Sequence, residues 1–257
     1  MHLKAIACEV LAREMFQCAS KARNSLEIEL LPQGLHDNAG ICRAELQEKI
    51  DKAEPEKYEA VVLGYGLCSN SLGGIKAGRV RMVVPRAHDC ITLLLGDKER
   101  YKEIFDRHPG TYYYSSGWLE YPERGGKRVD YPQKSGWVKQ RTFEEFAKQY
   151  GEDNARYLVE AMGSWEVNYT DGTLIEFPFT RHLGLEEKVR NICQEKGWRF
   201  SKIPGNLGLI QRLLDGEWND GDFLVLEPGE AVKATFEGNI LERATASLDA
   251  VTGTVPK

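Results

Sequence analysis

Cysteine and histidine are the side chains that bind zinc, and cysteine alone suits iron–sulfur clusters. In this chain they recur where apolar runs end. Cys8 closes the run 3–8, His36 lies just past the run 26–31, Cys68 follows the run 60–63, and His88-Asp89-Cys90 follows the run 80–84. Three thiols arriving from neighbouring strand ends can hold a zinc ion with a position left open, or three corners of a four-iron cluster whose fourth iron faces a substrate. The candidate metal ligands are Cys8, Cys68 and Cys90, with His88 or His36 completing the shell. Zinc is the first cofactor expected and an iron–sulfur cluster its alternative. Cys18, Cys42 and Cys193 fall within helical stretches or their starts and are assigned to packing. No Cys-x-x-Cys pair makes a local knuckle, so the site depends on the fold bringing these segments together.

Two neighbouring features suit an anionic ligand. The loop 64–74 is rich in glycine and follows a strand, although it lacks the Gly-Lys-Ser/Thr ending of a phosphate loop. Gly64, Gly66 and Ser69 are the candidates for backbone contacts to a bound group; the competing reading is a tight turn that needs glycine. Arg86 can make a charge-assisted contact to a carboxylate or phosphate, or stand solvated. Arg86, His88 and Asp89 form the candidate catalytic set. Zinc lowers the pKa of a bound thiol and presents it as thiolate, so the chemistry these residues suit best is activation of a small, acidic thiol.

The elements that must position them follow an alternating plan. Runs at 3–8, 26–31, 60–63 and 80–84 read as strands, with helical spacing at 9–23, at 43–52 and from about residue 90. Right-handed crossovers would put the carboxyl ends of these four strands on one edge, where open α/β sheets bind ligands. Residues 109–142 are rich in Gly, Tyr, Trp and Pro, and 112–118 are a candidate to close over a bound group, although packing into a second core layer is the plainer role. A helix is expected over 143–162. The last third reads strand, helix, strand, helix, strand at 173–177, 185–195, 198–203, 206–214 and 223–226. The expected architecture is α/β, with two Rossmann-like open parallel-sheet halves and an aromatic-rich insertion between them. The bounds are 1–108, 109–165 and 166–243, with a weakly ordered tail over 244–257. If the halves face each other, Glu176, Arg181, His182 and Glu227 line the same cleft.

Composition narrows the partners. The chain has 257 residues, 42% hydrophobic and 28% charged, as an ordinary folded protein has, and its net charge of −5 offers no basic field for nucleic acid. No apolar run approaches the roughly 18–20 residues that span a bilayer. The amino-terminal residues lack the apolar stretch of a secretory signal, and six cysteines are too few for a disulfide scaffold, so a cytoplasmic location is expected.

Four segments, residues 7–11, 31–37, 63–68 and 85–90, together resemble the uncharacterised family catalogued as domain of unknown function 1638. That resemblance implies anaerobic bacteria and archaea and the company of corrinoid methyl-transfer systems. The fragment His88-Asp89-Cys90 is similar to the zinc motif of thiol-activating corrinoid methyltransferases, except that the further cysteines here, Cys8 and Cys68, precede it. Quinolinate synthase and the diphthamide-forming enzymes are similar in ligand logic alone. The expectation is a metalloenzyme transferring methyl groups to a thiol, with a corrinoid protein as possible partner. An iron–sulfur lyase or dehydratase, and a non-catalytic protein that delivers metal or corrinoid, are the alternatives.

Overall fold

Apolar runs without alternation belong to strands buried on both faces. Three such runs form the middle of a five-stranded sheet of order β2-β1-β3-β4-β8. They are β1 (His2–Cys8), β3 (Ala60–Gly64) and β4 (Met82–Pro85), flanked by β2 (Ser25–Leu31) and β8 (Phe223–Leu226). Every residue of β3 and β4 is buried, whereas β2, on the edge, is largely half-exposed. The computed structural model describes residues 1–68, 70–120, 169–235 and 239–244. Strands β1 to β4 run parallel, with Ala7 beside Gly64 and Cys8 beside Leu31, so their carboxyl ends share one edge as expected.

β8 is the departure. The sequence pattern groups it with the carboxyl-terminal strands, but it pairs antiparallel with β4, Val83 opposite Val225. The run Phe-Leu-Val-Leu signals burial without encoding direction or neighbour, and the open edge of β4 accepts it. The second sheet is parallel, in the order β5 (Thr111–Tyr114), β6 (Asp171–Glu176), β7 (Arg199–Pro204). Its first strand lies in the aromatic stretch expected to be an excursion. A short antiparallel pair, β9 (Val232–Ala234) and β10 (Leu241–Arg243), follows β8. Mixed α/β architecture is thus established.

Seven helices connect the described strands: α1 (Ala12–Ala19), α2 (Ala39–Asp51), α3 (Cys90–Leu95), α4 (Lys98–Arg107), α5 (Ser116–Glu120), α6 (Leu185–Lys196) and α7 (Gly208–Asp215). Polar side chains start three of them. Asn38, Asp89 and Asp97 accept backbone N–H groups of Ile41, Thr92 and Arg100, at 3.1, 3.1 and 2.8 Å, satisfying donors that the first helical turn leaves open. The helix expected over 9–23 is shorter: a 3-10 turn, Glu9–Leu11, precedes α1. The helix expected over 143–162 and nearly all of the tail lie outside the described residues. Among the described residues no helix is long and apolar enough to cross a membrane.

Candidate functional site

The loops after β3 and β4 are zipped together. Leu67 N–H donates to Ala87 O at 2.8 Å, and Cys68 N–H donates to His88 O at 2.9 Å. The approach is so close that a Cβ on Gly66 would lie 2.6 Å from the backbone N and Cα of Asp89. Gly64 is constrained in the same way by Ala7, 2.5 Å from where its Cβ would be. Both glycines therefore serve backbone proximity, and neither has positive φ. The amides of Leu67 and Cys68 are spent on the neighbouring loop, which removes them from any phosphate cradle. Ser69 lies outside the described residues.

Cys68 itself sits at φ 40°, in the left-handed region where a side chain with a Cβ costs about 1–3 kcal/mol. Ser71 holds the turn, with its N–H on Leu67 O at 2.8 Å and its Oγ donating to Cys68 O at 2.7 Å. This zipper carries Cys68 and Cys90, the first residue of α3, to the carboxyl edge of the sheet at which Cys8 ends β1. Cys68 and Cys90 are partly exposed and Cys8 is buried. The charge of each would be felt by the others: Cys8 raises the pKa of Cys68, and both Cys68 and Cys8 raise that of Cys90.

Burial dominates these thiols, pushing Cys8 up to about 12 and holding Cys68 and Cys90 far above the ordinary thiol range. At neutral pH all three are protonated, so none is a ready nucleophile. Weaker influences act the other way: Val10 N–H and the Tyr65 hydroxyl lower the Cys8 pKa, Gly66 N–H that of Cys68 and the Trp118 indole that of Cys90, and burial outweighs all of them. Tyr65 is buried and its hydroxyl has no formed hydrogen bond.

Trp118 arrives from the second sheet, on α5, which is fastened to α1. Arg13 binds Glu120 through both carboxylate oxygens at 2.8–2.9 Å, and Ser116 Oγ donates to Glu14 Oε1 at 3.0 Å. Glu14 is fully buried, and that burial pushes its carboxyl up to about 7. Trp118 also meets His36 edge-on, ring centres 6.3 Å apart.

The remaining candidates separate. His88 is solvent-exposed, whereas its neighbour Asp89 turns inward. Asp89 Oδ1 caps α3 and Oδ2 accepts the Tyr101 hydroxyl at 3.2 Å, while burial raises its pKa. Tyr101 packs edge-on to Tyr113, whose hydroxyl is buried without a hydrogen bond. Arg86 is committed elsewhere: Nε donates to Asp220 O at 2.8 Å, and Nη1 to the carbonyls of Asn239 and Leu241, clasping the segment around β10. In the second sheet, Glu176 accepts Arg181 at 3.1 Å and Lys202 at 3.4 Å. These line an open pocket of about 680 Å³ that shares no residue with the thiols, and His182 and Glu227 are exposed.

Among the described residues, no three His, Cys, Asp or Glu side chains stand together as a ready metal-binding group. Sequence reasoning missed Tyr65 and Tyr101, whereas Tyr113 and Trp118 fall within 112–118, the stretch expected to close over a bound group. Tyr65 carried a signal, a bulky ring between two glycines.

Fold and site define an α/β protein with cysteines gathered at the carboxyl edge of its larger sheet. The chain belongs to the family described as protein of unknown function (DUF1638), whose model matches residues 30–214. That span includes Cys68, Cys90 and Trp118 and leaves Cys8 outside. No curated protein and no solved structure matches the chain.

Proposed function

We propose that the chain is a metalloprotein whose centre is built on Cys8, Cys68 and Cys90, and that zinc there presents a small anionic thiol as thiolate for methyl transfer from a methylated corrinoid. The supporting observation is placement: Cys8 ends β1, and the hydrogen-bonded loops after β3 and β4 carry Cys68 and Cys90 to the same carboxyl edge of the sheet. Hydrogen-bond donors near a sulfur favour its charged form over the thiol. Without a cation, burial keeps the thiols protonated; coordination reverses that balance, because a metal binds the deprotonated sulfur. The strained backbone of Cys68 fits a residue held in place for its side chain. The two-halves architecture belongs to this proposal, with the aromatic segment between the halves supplying Trp118 to a centre built on the first. An acidic group on the thiol would have to find partners other than Arg86, whose guanidinium is occupied.

The test is elemental analysis and absorption of protein purified without oxygen, for the wild type and the variants Cys68→Ser, Cys90→Ser and Cys193→Ser. Colourless protein with about one zinc per chain is expected, lost in the first two variants and kept in the third. Serine is a poor ligand for zinc or iron, and Cys193 packs against Gly172 O at 3.8 Å. A brown, iron-containing protein would replace zinc by a cluster. Equal metal content in all four proteins, or none in the wild type, overturns the centre. Zinc-loaded protein that leaves methylated corrinoid unchanged with 3-mercaptopropionate overturns the methyl-transfer part.

A further inference from the structure

The second sheet has a cavity of its own at the carboxyl ends of two neighbouring strands. β6 ends at Glu176, beside Pro204, the last residue of β7. Open parallel sheets bind ligands outside the carboxyl ends of their strands, and the pocket here, about 680 Å³, has the size of a small-molecule site. Its walls are fixed by the fold. Gly205 N–H donates to Glu176 O at 2.8 Å, joining the segments that follow the two strands. The Phe177 ring packs against that junction, 2.2 Å from where a Cβ on Gly205 would be, so only glycine fits. After β6, the 3-10 turn Pro178–Leu183 is held by buried Thr180, whose Oγ accepts Phe177 N–H at 3.3 Å and donates to Phe177 O at 3.0 Å.

This turn carries Arg181 into the lining of the pocket. Its Nε donates to Glu176 Oε2 at 3.1 Å, which orients the guanidinium, while its two Nη groups make no hydrogen bond among the described residues. The other charges are matched. Lys202 Nζ donates to Glu186 Oε2 at 2.5 Å and to Glu176 Oε1 at 3.4 Å, and Arg190 Nη2 donates to Glu186 Oε1 at 2.7 Å. Arg181, Lys202 and Arg190 against Glu176 and Glu186 leave one positive charge unbalanced. Every oxygen of the two carboxylates has a cationic partner, so a cationic ligand would have to displace one. An oxyanion displaces nothing: it takes the unused Nη donors, in the paired geometry that matches guanidinium to carboxylate or phosphate. We propose that this cavity, separate from the thiol edge, binds a small organic anion. Its carboxylate or phosphate is held by the Nη pair of Arg181, and its apolar body lies against Pro178, Leu185, Ile203 and Pro204, which line the same pocket.

The experiment titrates the full-length protein by calorimetry with phenyl phosphate, benzoate and inorganic phosphate, for wild type, Arg181→Ala, Arg181→Lys and Arg107→Ala. Arg181 is exposed, and Glu176 keeps Lys202 when it is lost, so the variants should fold; circular dichroism checks this. Wild type should bind phenyl phosphate or benzoate at least about tenfold more tightly than inorganic phosphate, which has no apolar body to bury. The tighter of the two identifies the headgroup. Arg181→Ala should weaken that binding by about 10- to 100-fold, and Arg181→Lys by about tenfold, because lysine keeps the charge and loses the paired donors. Arg107, exposed on α4 and paired with Glu103, is the control, and its variant should bind as wild type does. Metal content should be the same in Arg181→Ala and wild type, which keeps this result apart from the fate of the thiol centre. No binding of any probe, or equal affinity in wild type and Arg181→Ala, overturns the site. Inorganic phosphate bound as tightly as phenyl phosphate and benzoate overturns the apolar part of the ligand.

Discussion

Replacing Gly66 by alanine tests whether the zipper between the β3 and β4 loops holds the site together. The added Cβ would sit 2.6 Å from the N and Cα of Asp89 and 2.8 Å from its carbonyl carbon, all backbone atoms that have no rotamer to yield. Overpacking of this kind costs about 1–3 kcal/mol. If the loops part, the Leu67–Ala87 and Cys68–His88 hydrogen bonds go as well, at about 0.5–1.5 kcal/mol each. The total is about 2–6 kcal/mol, or a fall in Tm of about 4–24 °C for a chain of this size. Urea unfolding of wild type and Gly66→Ala gives the free-energy difference, and native-state alkylation followed by mass spectrometry reports Cys68 and Cys90, which should both react faster. A loss below about 1 kcal/mol, with unchanged alkylation of both cysteines, would refute the argument that this glycine sets the spacing between the two thiols.

Glu14 should impose a pH dependence on stability. Its folded pKa, about 7, is raised above the unfolded value near 4.5, so the folded state holds the extra proton between the two and stability falls as pH rises through that window. The contribution is about 3 kcal/mol, and Glu14→Gln should flatten the fall in urea midpoint between pH 5 and 8; parallel profiles would contradict it. Arg86→Ala should cost about 2 kcal/mol through the loss of its carbonyl bonds, and limited proteolysis should cut sooner after β8. Unchanged proteolysis would show that the clasp does not restrain that segment.

What the sequence shows plainly is what burial alone dictates. Continuous runs such as Val61-Val62-Leu63 announce strands covered on both faces, and the placement of Cys8 and Cys68 at their ends follows directly. Pairing choices are less visible. Nothing in Phe223-Leu224-Val225-Leu226 says that it will run antiparallel beside β4, because that depends on which edge the rest of the fold leaves open. Thr111–Tyr114 is a strand although its tyrosines suggested a covering loop; aromatic residues have high strand propensity, and Tyr113 and Tyr114 are buried. In the site, nearness along the chain misled. His88 and Cys90 are two residues apart, but Asp89 between them begins a helix, so the histidine is left outside while the cysteine turns in.

The late arrival of β8 carries a consequence for synthesis. Until residue 226 has left the ribosome, the edge of β4 at Met82, Val83 and Val84 presents unpaired backbone groups and an apolar ribbon. At about 5–20 residues per second, the roughly 140 residues between the two strands take on the order of ten seconds to make. An open strand edge of this kind recruits other chains. During that interval a nascent chain needs a chaperone or dilution, and a message truncated before Phe223 would yield a product prone to aggregate even with all six cysteines already in place.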